Sequence, residues 1–532
     1  MSAVVPTPPA SHYLNPPWGL KSWLLTTDHK RIAWLYVISL SGFFFLGGIA
    51  ALLIRLELLS PPTDFLTEDF YNKMFSLHGI VMVWFFLIPS IPATMGNFLV
   101  PLMVGARDMA FPRLNLLSWY IYTIGGLLLI ASVVLGGVDT GWTFYTPFSS
   151  QYSNSFVVPA AMGVFVVGFS TILTGLNIVT TTHEMRAPGL TWFRLPMFVW
   201  GNYSVSLLMV LATPVLTAVL LLIALERMLD LGIFNPALGG DPILFQHLFW
   251  FYSHPAVYMM ILPAMGVVSE IIACFTRRPL FAYKSMALSI LAIVLFGFLA
   301  WGHHMFVSGQ SIHAGAVFSL FTFMVAVPSA IKVFNWVMSL KEGYIQFTAP
   351  MLYALSFLGL FTIGGLTGVV TATIGLDVHV HDTYFVIAHF HYIMVGASVT
   401  AYLGGLHFWW PKMTGRMYPE RWAIVAAVAL FIGFNLTFFP QFLLGIAGMP
   451  RRYASYPEEF QFLNVMSSLG AGVLAIGYLL PLVYLPWSLV RGKRAPSNPW
   501  RATGLEWQTT SPPPVHNFKV TPVVTGPAYD YR

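Results

Sequence analysis

The sequence predicts an all-α membrane protein, a bundle of twelve transmembrane helices. Three observations predict it. Hydrophobic residues make up 57% of the chain and charged residues only 9%, against roughly 25% charged in soluble domains. Twelve apolar runs each reach the length of about 20 residues that a helix needs to cross a hydrocarbon core. The basic residues fall between those runs, dense in alternate connections and sparse in the others.

In chain order the runs lie near residues 32–55, 76–102, 116–137, 157–180, 203–226, 245–274, 286–305, 312–340, 348–371, 384–409, 422–444 and 463–488. An even count places both ends on one side. Of 26 Lys and Arg residues, 20 lie at the ends or in alternate connections, among them Lys30, Arg31, Arg107, Arg113, Arg277, Arg278, Lys412 and Arg416. Arg55, Lys73, Arg227, Arg451 and Arg452 lie on the opposite side, and Lys332 sits inside run eight. By the positive-inside rule both termini face the cytoplasm. The chain then divides into a cytoplasmic segment 1–31, a membrane domain 32–488 and a Pro-rich cytoplasmic tail 489–532, expected to be irregular. Residues 1–29 lack the charged-then-apolar order of a cleaved leader, so run one reads as a retained span. The formal charge of +6 reads as a topology signal, not a nucleic-acid surface. The single cysteine, Cys274, can build neither a disulfide framework nor a thiolate cluster. Any transition metal must rely on the 15 histidines.

Ionisable groups inside spans are costly and mark function. Span ten carries His389-Phe390-His391. These two rings point about 200° apart on a helix, so they suit two separate centres. Span seven ends in Trp301-Gly302-His303-His304, where an irregular helix end, permitted by Gly302, lets both rings reach one ion. Span six holds Tyr252-Ser253-His254-Pro255 and then Tyr258. Pro255 distorts the helix, and Tyr258, four residues after His254, shares its face. In span two, Gly79 beside His78 would let a flat cofactor approach the backbone. Imidazoles suit iron, copper and zinc, and haem iron takes axial histidine. In span eight, Thr322, Ser329 and Lys332 share one face. An intramembrane lysine costs roughly 2.5–3.5 kcal/mol on insertion scales, so its presence suggests use in proton supply.

Together these motifs closely resemble subunit I of the haem–copper oxidases, in the bacterial cytochrome c oxidase branch, over nearly the whole chain. The resemblance implies that His78 and His391 are axial ligands of a low-spin haem and His389 the ligand of a high-spin haem. His254, His303 and His304 are then copper ligands. Tyr258 is similar to the tyrosine that relatives cross-link to the first of these histidines. His381 and Asp382 resemble magnesium ligands. Arg451 and Arg452 resemble partners of haem propionates, and Arg55 lies where relatives place an arginine near the low-spin haem. Lys332, Ser329 and Thr322 match the family's lysine-lined proton channel. Asp108, Asn97 and Asn115 match the mouth of its aspartate-lined one. The chain departs from many relatives at Ala256, where they carry a glutamate. It is similar to the subgroup in which a Tyr-Ser pair, here Tyr252-Ser253, replaces it.

The implied function is respiratory reduction of dioxygen to water, coupled to proton pumping in the bacterial inner membrane. The implied cofactors are two haems (expected as haem A, with haem O the alternative), one copper ion and a magnesium ion. The implied partners are a copper-bearing subunit II, subunit III, cytochrome c as donor and membrane lipid, with no nucleic acid. A quinol oxidase of the same superfamily is the nearer competitor. Phe70 and Lys73 before His78 show no polar quinone site. A nitric oxide reductase would want added glutamates where Ala256 stands. A non-redox twelve-span transporter would explain the hydropathy and Lys332, but not the histidine clusters.

Overall fold

The computed structural model describes residues 12–15, 19–61 and 65–531. The segment 1–31 therefore lies partly outside the described residues. Twelve helices are long and apolar enough to cross a membrane: α1 (His29–Glu57), α2 (Glu68–Val104), α3 (Pro112–Leu135), α4 (Val157–Glu184), α5 (Met197–Leu229), α6 (Pro242–Thr276), α7 (Tyr283–Met305), α8 (Ile312–Leu340), α9 (Ala349–Ala372), α10 (Tyr384–Thr414), α11 (Glu420–Ile446) and α12 (Glu458–Arg491). No β-strand forms among the described residues.

Several helices overrun their apolar stretches because polar caps set the ends. α1 starts at His29, where the Asp28 carboxylate accepts the Lys30 backbone N–H. α2 starts after Thr67, whose hydroxyl accepts the Phe70 N–H. α6 starts after Asp241, which accepts the Ile243 N–H. Each cap satisfies a backbone donor that a helix start leaves open.

Helix α6 is the centre of the bundle. It contacts α2, α5, α7, α8, α9 and α10, and 89% of its most apolar stretch is buried, against 17% for α8 at the rim. Small residues let neighbouring helices close in: a Cβ on Gly163 would meet the Gly125 carbonyl oxygen at 2.8 Å, where α3 and α4 cross. The outer faces expose Val134, Ile312, Phe334 and Val483. In the membrane reading, lipid covers them.

The segment after α12 is irregular apart from a short turn at Leu505–Gln508, yet it packs across the face that carries the termini. Lys412 donates to the carbonyls of Ser497, Thr509 and Thr510 at 2.9, 2.7 and 3.2 Å. Lys30 donates to Val515 O and Asn517 Oδ1, both at 2.9 Å. Tyr529 donates to Glu270 Oε1 at 2.5 Å. Lys30 and Lys412, which served in the sequence as loop charges, are thus fully buried.

Glu506 in this segment is buried beside Trp409, Lys412 and Trp507. Burial pushes its carboxyl up from 4.5 to about 7, against the opposing pull of hydrogen bonds and Lys412. A raised value favours the neutral form in the folded chain. Its contribution is complete below about pH 4.5 and is lost as pH rises through about 7, a swing of about 3 kcal/mol at roughly 1.4 kcal/mol per pH unit. Hydrogen-exchange protection across residues 497–531, corrected for the intrinsic base catalysis of exchange, should therefore fall as pH rises through neutrality, and Glu506→Gln should flatten that profile. An unchanged profile in the variant would contradict this account.

Candidate functional site

Residues of α6, α7, α8, α9 and α10 meet around one cavity of about 700 Å³, which also reaches α1, α2, α11 and α12. Its histidines lie in the half of the bundle away from the termini. That depth follows from the sequence: His78 and His389 sit near the starts of α2 and α10, His254 lies early in α6, and His303 and His304 close α7.

The tightest cluster is His254, His303 and His304. Helix α7 ends in a 3-10 turn, Trp301–Met305, which brings adjacent rings to 4.2 Å between centroids. Gly302 matters for a reason other than the expected freedom of the helix end: a Cβ there would strike the Phe318 ring. His304 Nε2 lies 3.1 Å from His254 Nδ1 and 3.0 Å from His303 Nε2. One nitrogen from each ring falls within a 4.8 Å group, the one such group of three or more ligand-type residues among the described residues. Thr322 fixes one tautomer. Its hydroxyl donates to Phe318 O at 2.6 Å, so it accepts from His303 Nδ1 at 2.9 Å, and His303 Nε2 is left as a lone pair. Trp250 stacks on His304 at 3.7 Å between centroids. Ring nitrogens gathered this closely, in a site without acids, suit a soft or borderline cation.

His254 Nε2 is buried with no hydrogen-bond partner, and the Tyr258 ring lies 4.8 Å away between centroids.

His78 and His391 face each other with rings 8° from parallel and centroids 6.3 Å apart. Backbone carbonyls take their Nδ1 atoms, Gly47 O at 2.9 Å and Ile387 O at 2.8 Å, so each Nε2 is a lone pair. A metal about 2.1 Å from each nitrogen needs ring centroids roughly 6.4 Å apart. The gap would admit one metal ion between the two imidazoles. Both histidines precede π-helical turns, Val81–Leu87 and Tyr392–Val399, a winding common at functional sites. Gly79 lines the cavity beside Trp142, and a Cβ on Gly79 would meet the Trp142 side chain at 2.8 Å.

His389 turns the other way on α10. Its Nδ1 lies 3.1 Å from Gly364 O and 3.1 Å from Thr367 Oγ1, both on α9. His391 instead stacks on Phe438 of α11. The two rings therefore leave α10 on opposite sides, as the helical angle demands.

At the far rim, Arg451 pairs with Asp382. Burial alone would raise the Asp382 carboxyl, but Arg451, His381 and Arg452 hold it below the usual carboxylate range. Burial, reinforced by Arg451, pulls Arg452 down to about 10. His381 Nδ1 lies 3.4 Å from Asp377 Oδ2. Asp377 went unnoticed in the sequence, where it looks like a loop acid, yet it is buried and lines the cavity. Arg55 donates to Asn464 O and Ser468 Oγ, and its Nη1 is buried without a partner.

Thr322, Ser329 and Tyr258 line the cavity. Lys332 lies beyond them, fully buried, with Nζ 3.5 Å from Met286 O and 5.2 Å from the Trp336 ring. Asn97 and Asn115 hold each other by reciprocal amide bonds of 3.0 and 2.8 Å. Burial pushes the nearby Asp108 carboxyl up to about 7, with the Met109 N–H and Lys30 opposing. Tyr252 stacks on Trp84 and reaches Met259 Sδ at 4.0 Å, one turn past Ala256. Ser253 lines the cavity with a buried hydroxyl that has no protein partner.

Imidazoles converging in this way within membrane-length helices are what a membrane oxidoreductase with redox metals requires. Residues 31–473 match the family described as "Cytochrome C and Quinol oxidase polypeptide I", and the chain belongs to that family, which implies haems and copper. It is 45% identical to cytochrome c oxidase subunit 1 of Synechocystis over 95% of this chain and 91% of that one. Identity to the Bacillus subtilis protein of the same name is 42%, covering 95% and 82%. The fold also matches a solved structure titled as a heme-copper terminal oxidase dimer, with TM-score 0.72, 19% identity and coverage of 88% and 85%.

Replacing Thr322 with Val should free His303 to rotate and should lower the affinity of the three-histidine cluster for a metal ion about 10–100-fold. Copper counted per haem during graded chelation checks this. Retention equal to wild type would remove Thr322 from the anchoring role.

Proposed function

We propose that this chain is the catalytic subunit of a bacterial respiratory terminal oxidase that reduces dioxygen to water and pumps protons. One observation carries the reading: three converging imidazoles share a cavity with His389 and with the facing pair His78 and His391. In this reading His254, His303 and His304 hold copper, His389 holds the high-spin haem, and His78 and His391 hold the low-spin haem. When bound, these groups supply electron transfer and dioxygen reduction.

The chain's own residues do the rest. Backbone carbonyls orient His78, His391 and His389, and Thr322 orients His303. The buried, partnerless Nη1 of Arg55 leaves a donor free for the low-spin haem, expected as haem A. Arg451 and Arg452 at the cavity rim offer charge-assisted partners for haem carboxylates. His381 and Asp382 contribute two magnesium ligands, which a hard cation would need a partner subunit or water to complete. Lys332, Ser329 and Thr322 lead protons toward Tyr258. Asp108, Asn97 and Asn115 form the mouth of a second route that ends at Tyr252 and Ser253. Both termini then face the cytoplasm. A copper-bearing subunit II passes on electrons from cytochrome c, with subunit III and lipid covering the outer faces.

The unpartnered Nε2 of His254 beside Tyr258 fits a covalent His–Tyr bond. It forms with loss of one hydrogen from each ring, and the enzyme's own dioxygen accepts the electrons.

A reduced-minus-oxidised visible spectrum of the purified protein should show haem bands, and their absence would refute the oxidase reading. Mass spectrometry of the peptide spanning His254 and Tyr258 should find it lighter by two hydrogens. The unmodified mass in active enzyme rules out the cross-link. Proton uptake should fall in the Tyr252→Phe/Ser253→Ala double variant, and unchanged uptake would remove the pair from the route.

A further inference from the structure

The cavity reaches the side of the bundle along the seam between α1 and α12. Phe45, Gly48, Ile49 and Leu52 of α1 and Ala475 and Leu479 of α12 line it there. Four of these side chains are also open to the surroundings: Phe45 is 41% exposed, Ile49 57%, Leu52 51% and Leu479 49%. They therefore face both the cavity and the lipid of the membrane reading.

The seam is held at two levels and left open between them. At the end of α1, Arg55 Nη2 donates to Asn464 O at 2.7 Å and to Ser468 Oγ at 2.8 Å, and the Ser468 hydroxyl donates back to Arg55 O at 2.9 Å. Nearer the termini, Phe44 packs edge-on against Tyr478 with centroids 5.3 Å apart. Phe44 and Arg55 are eleven residues apart, about 16 Å along a helix. The walls between these two contacts include small residues. A Cβ on Gly48 would meet nothing within 4 Å, and α12 contributes Ala475.

This is also the seam that opens most cheaply. α1 and α12 are the first and last spans, so no connection of the chain crosses it. α12 packs along α11 and meets α1 only sparsely. Parting α1 from α12 pulls on no loop and breaks few contacts. The other ways in cost more. The terminal face lies beneath the segment after α12, and the outer rim is crossed by the Arg451–Asp382 pair. A flat, largely apolar macrocycle dissolved in the bilayer meets neither obstacle at the seam.

The seam leads to one centre. Gly47, the neighbour of Gly48, supplies the carbonyl that anchors His78 at 2.9 Å, and His78 faces His391.

We propose that the seam between α1 and α12 is the entrance through which the chain is loaded sideways, from the bilayer, with the low-spin haem. The Arg55–Ser468 bonds and the Phe44–Tyr478 contact are the latches that close it afterwards. The proposal rests on the oxidase reading, because it needs a haem at His78 and His391.

The test reads haem per chain in the purified protein, by pyridine haemochrome and by the low-spin band of the reduced-minus-oxidised spectrum. Gly48→Phe fills the slot and should lose the low-spin haem, whereas Gly48→Ala should keep it. Gly365→Phe is the control for crowding. Gly365 of α9 also lines the cavity, and a Cβ there likewise meets nothing within 4 Å, so this variant should keep the low-spin haem. Ile49→Ala combined with Leu479→Ala widens the slot. Under limited haem supply it should carry more low-spin haem per chain than wild type, which a surface that merely holds the haem would not do. Full low-spin haem in Gly48→Phe overturns the entrance, as does its loss in Gly365→Phe. No rise in the widened variant, or a fall, overturns it too. If Gly48→Phe does not assemble, the widened variant decides alone. Wild-type protein without haem bands would sink the oxidase reading itself, whereas normal wild-type bands with indifferent variants sink only the entrance.

Discussion

A neutral imidazole has one N–H and one lone pair, and this structure depends on which nitrogen carries which. At each inward histidine whose tautomer the structure fixes, a fixed acceptor takes the proton. Gly47 O serves His78, Ile387 O serves His391, Gly364 O serves His389 and the Thr322 hydroxyl serves His303. The lone pairs that remain face the cavity. Three of these anchors come from a different helix than the histidine they hold, so bundle packing and ligand orientation are one problem. A shift of α1 or α9 by a fraction of a turn would release a ring as well as loosen a contact.

Much of the fold was legible because lipid demands long apolar helices, and twelve such runs leave few alternatives. Helix ends were less legible, since Asp28, Thr67 and Asp241 extend helices past the hydropathy signal. The ligand histidines stood out because an imidazole inside a span is expensive. Their anchors did not, because a backbone carbonyl has no side-chain identity to read. Gly79 and Gly302 show a related limit. A missing Cβ announces that something approaches closely, but not what. Trp142 and Phe318 fill those places, and only the assembled bundle reveals it. Asp377 escaped notice because burial turned what looked like a loop acid into a cavity wall.

The polar groups proposed for proton movement are discontinuous in the protein alone. Lys332 reaches only a backbone carbonyl, Ser329 bonds back to its own helix, and the Ser253 hydroxyl has no protein partner. Such gaps suit conduction that must be switchable, because a few mobile waters can complete or break each path. A continuous chain of side-chain bonds would conduct at all times.

The irregular segment after α12 has a consequence for how the molecule is made. It follows every span, so it leaves the ribosome only after all twelve. Until then Lys30 and Lys412 stand as hydrated cations on one side of the nascent helices, where such charges orient insertion. Once the segment arrives, its carbonyls replace that water and both ammonium groups are sealed beneath it. Two charges of the kind that orients insertion are thus also the ones that hold the later segment down.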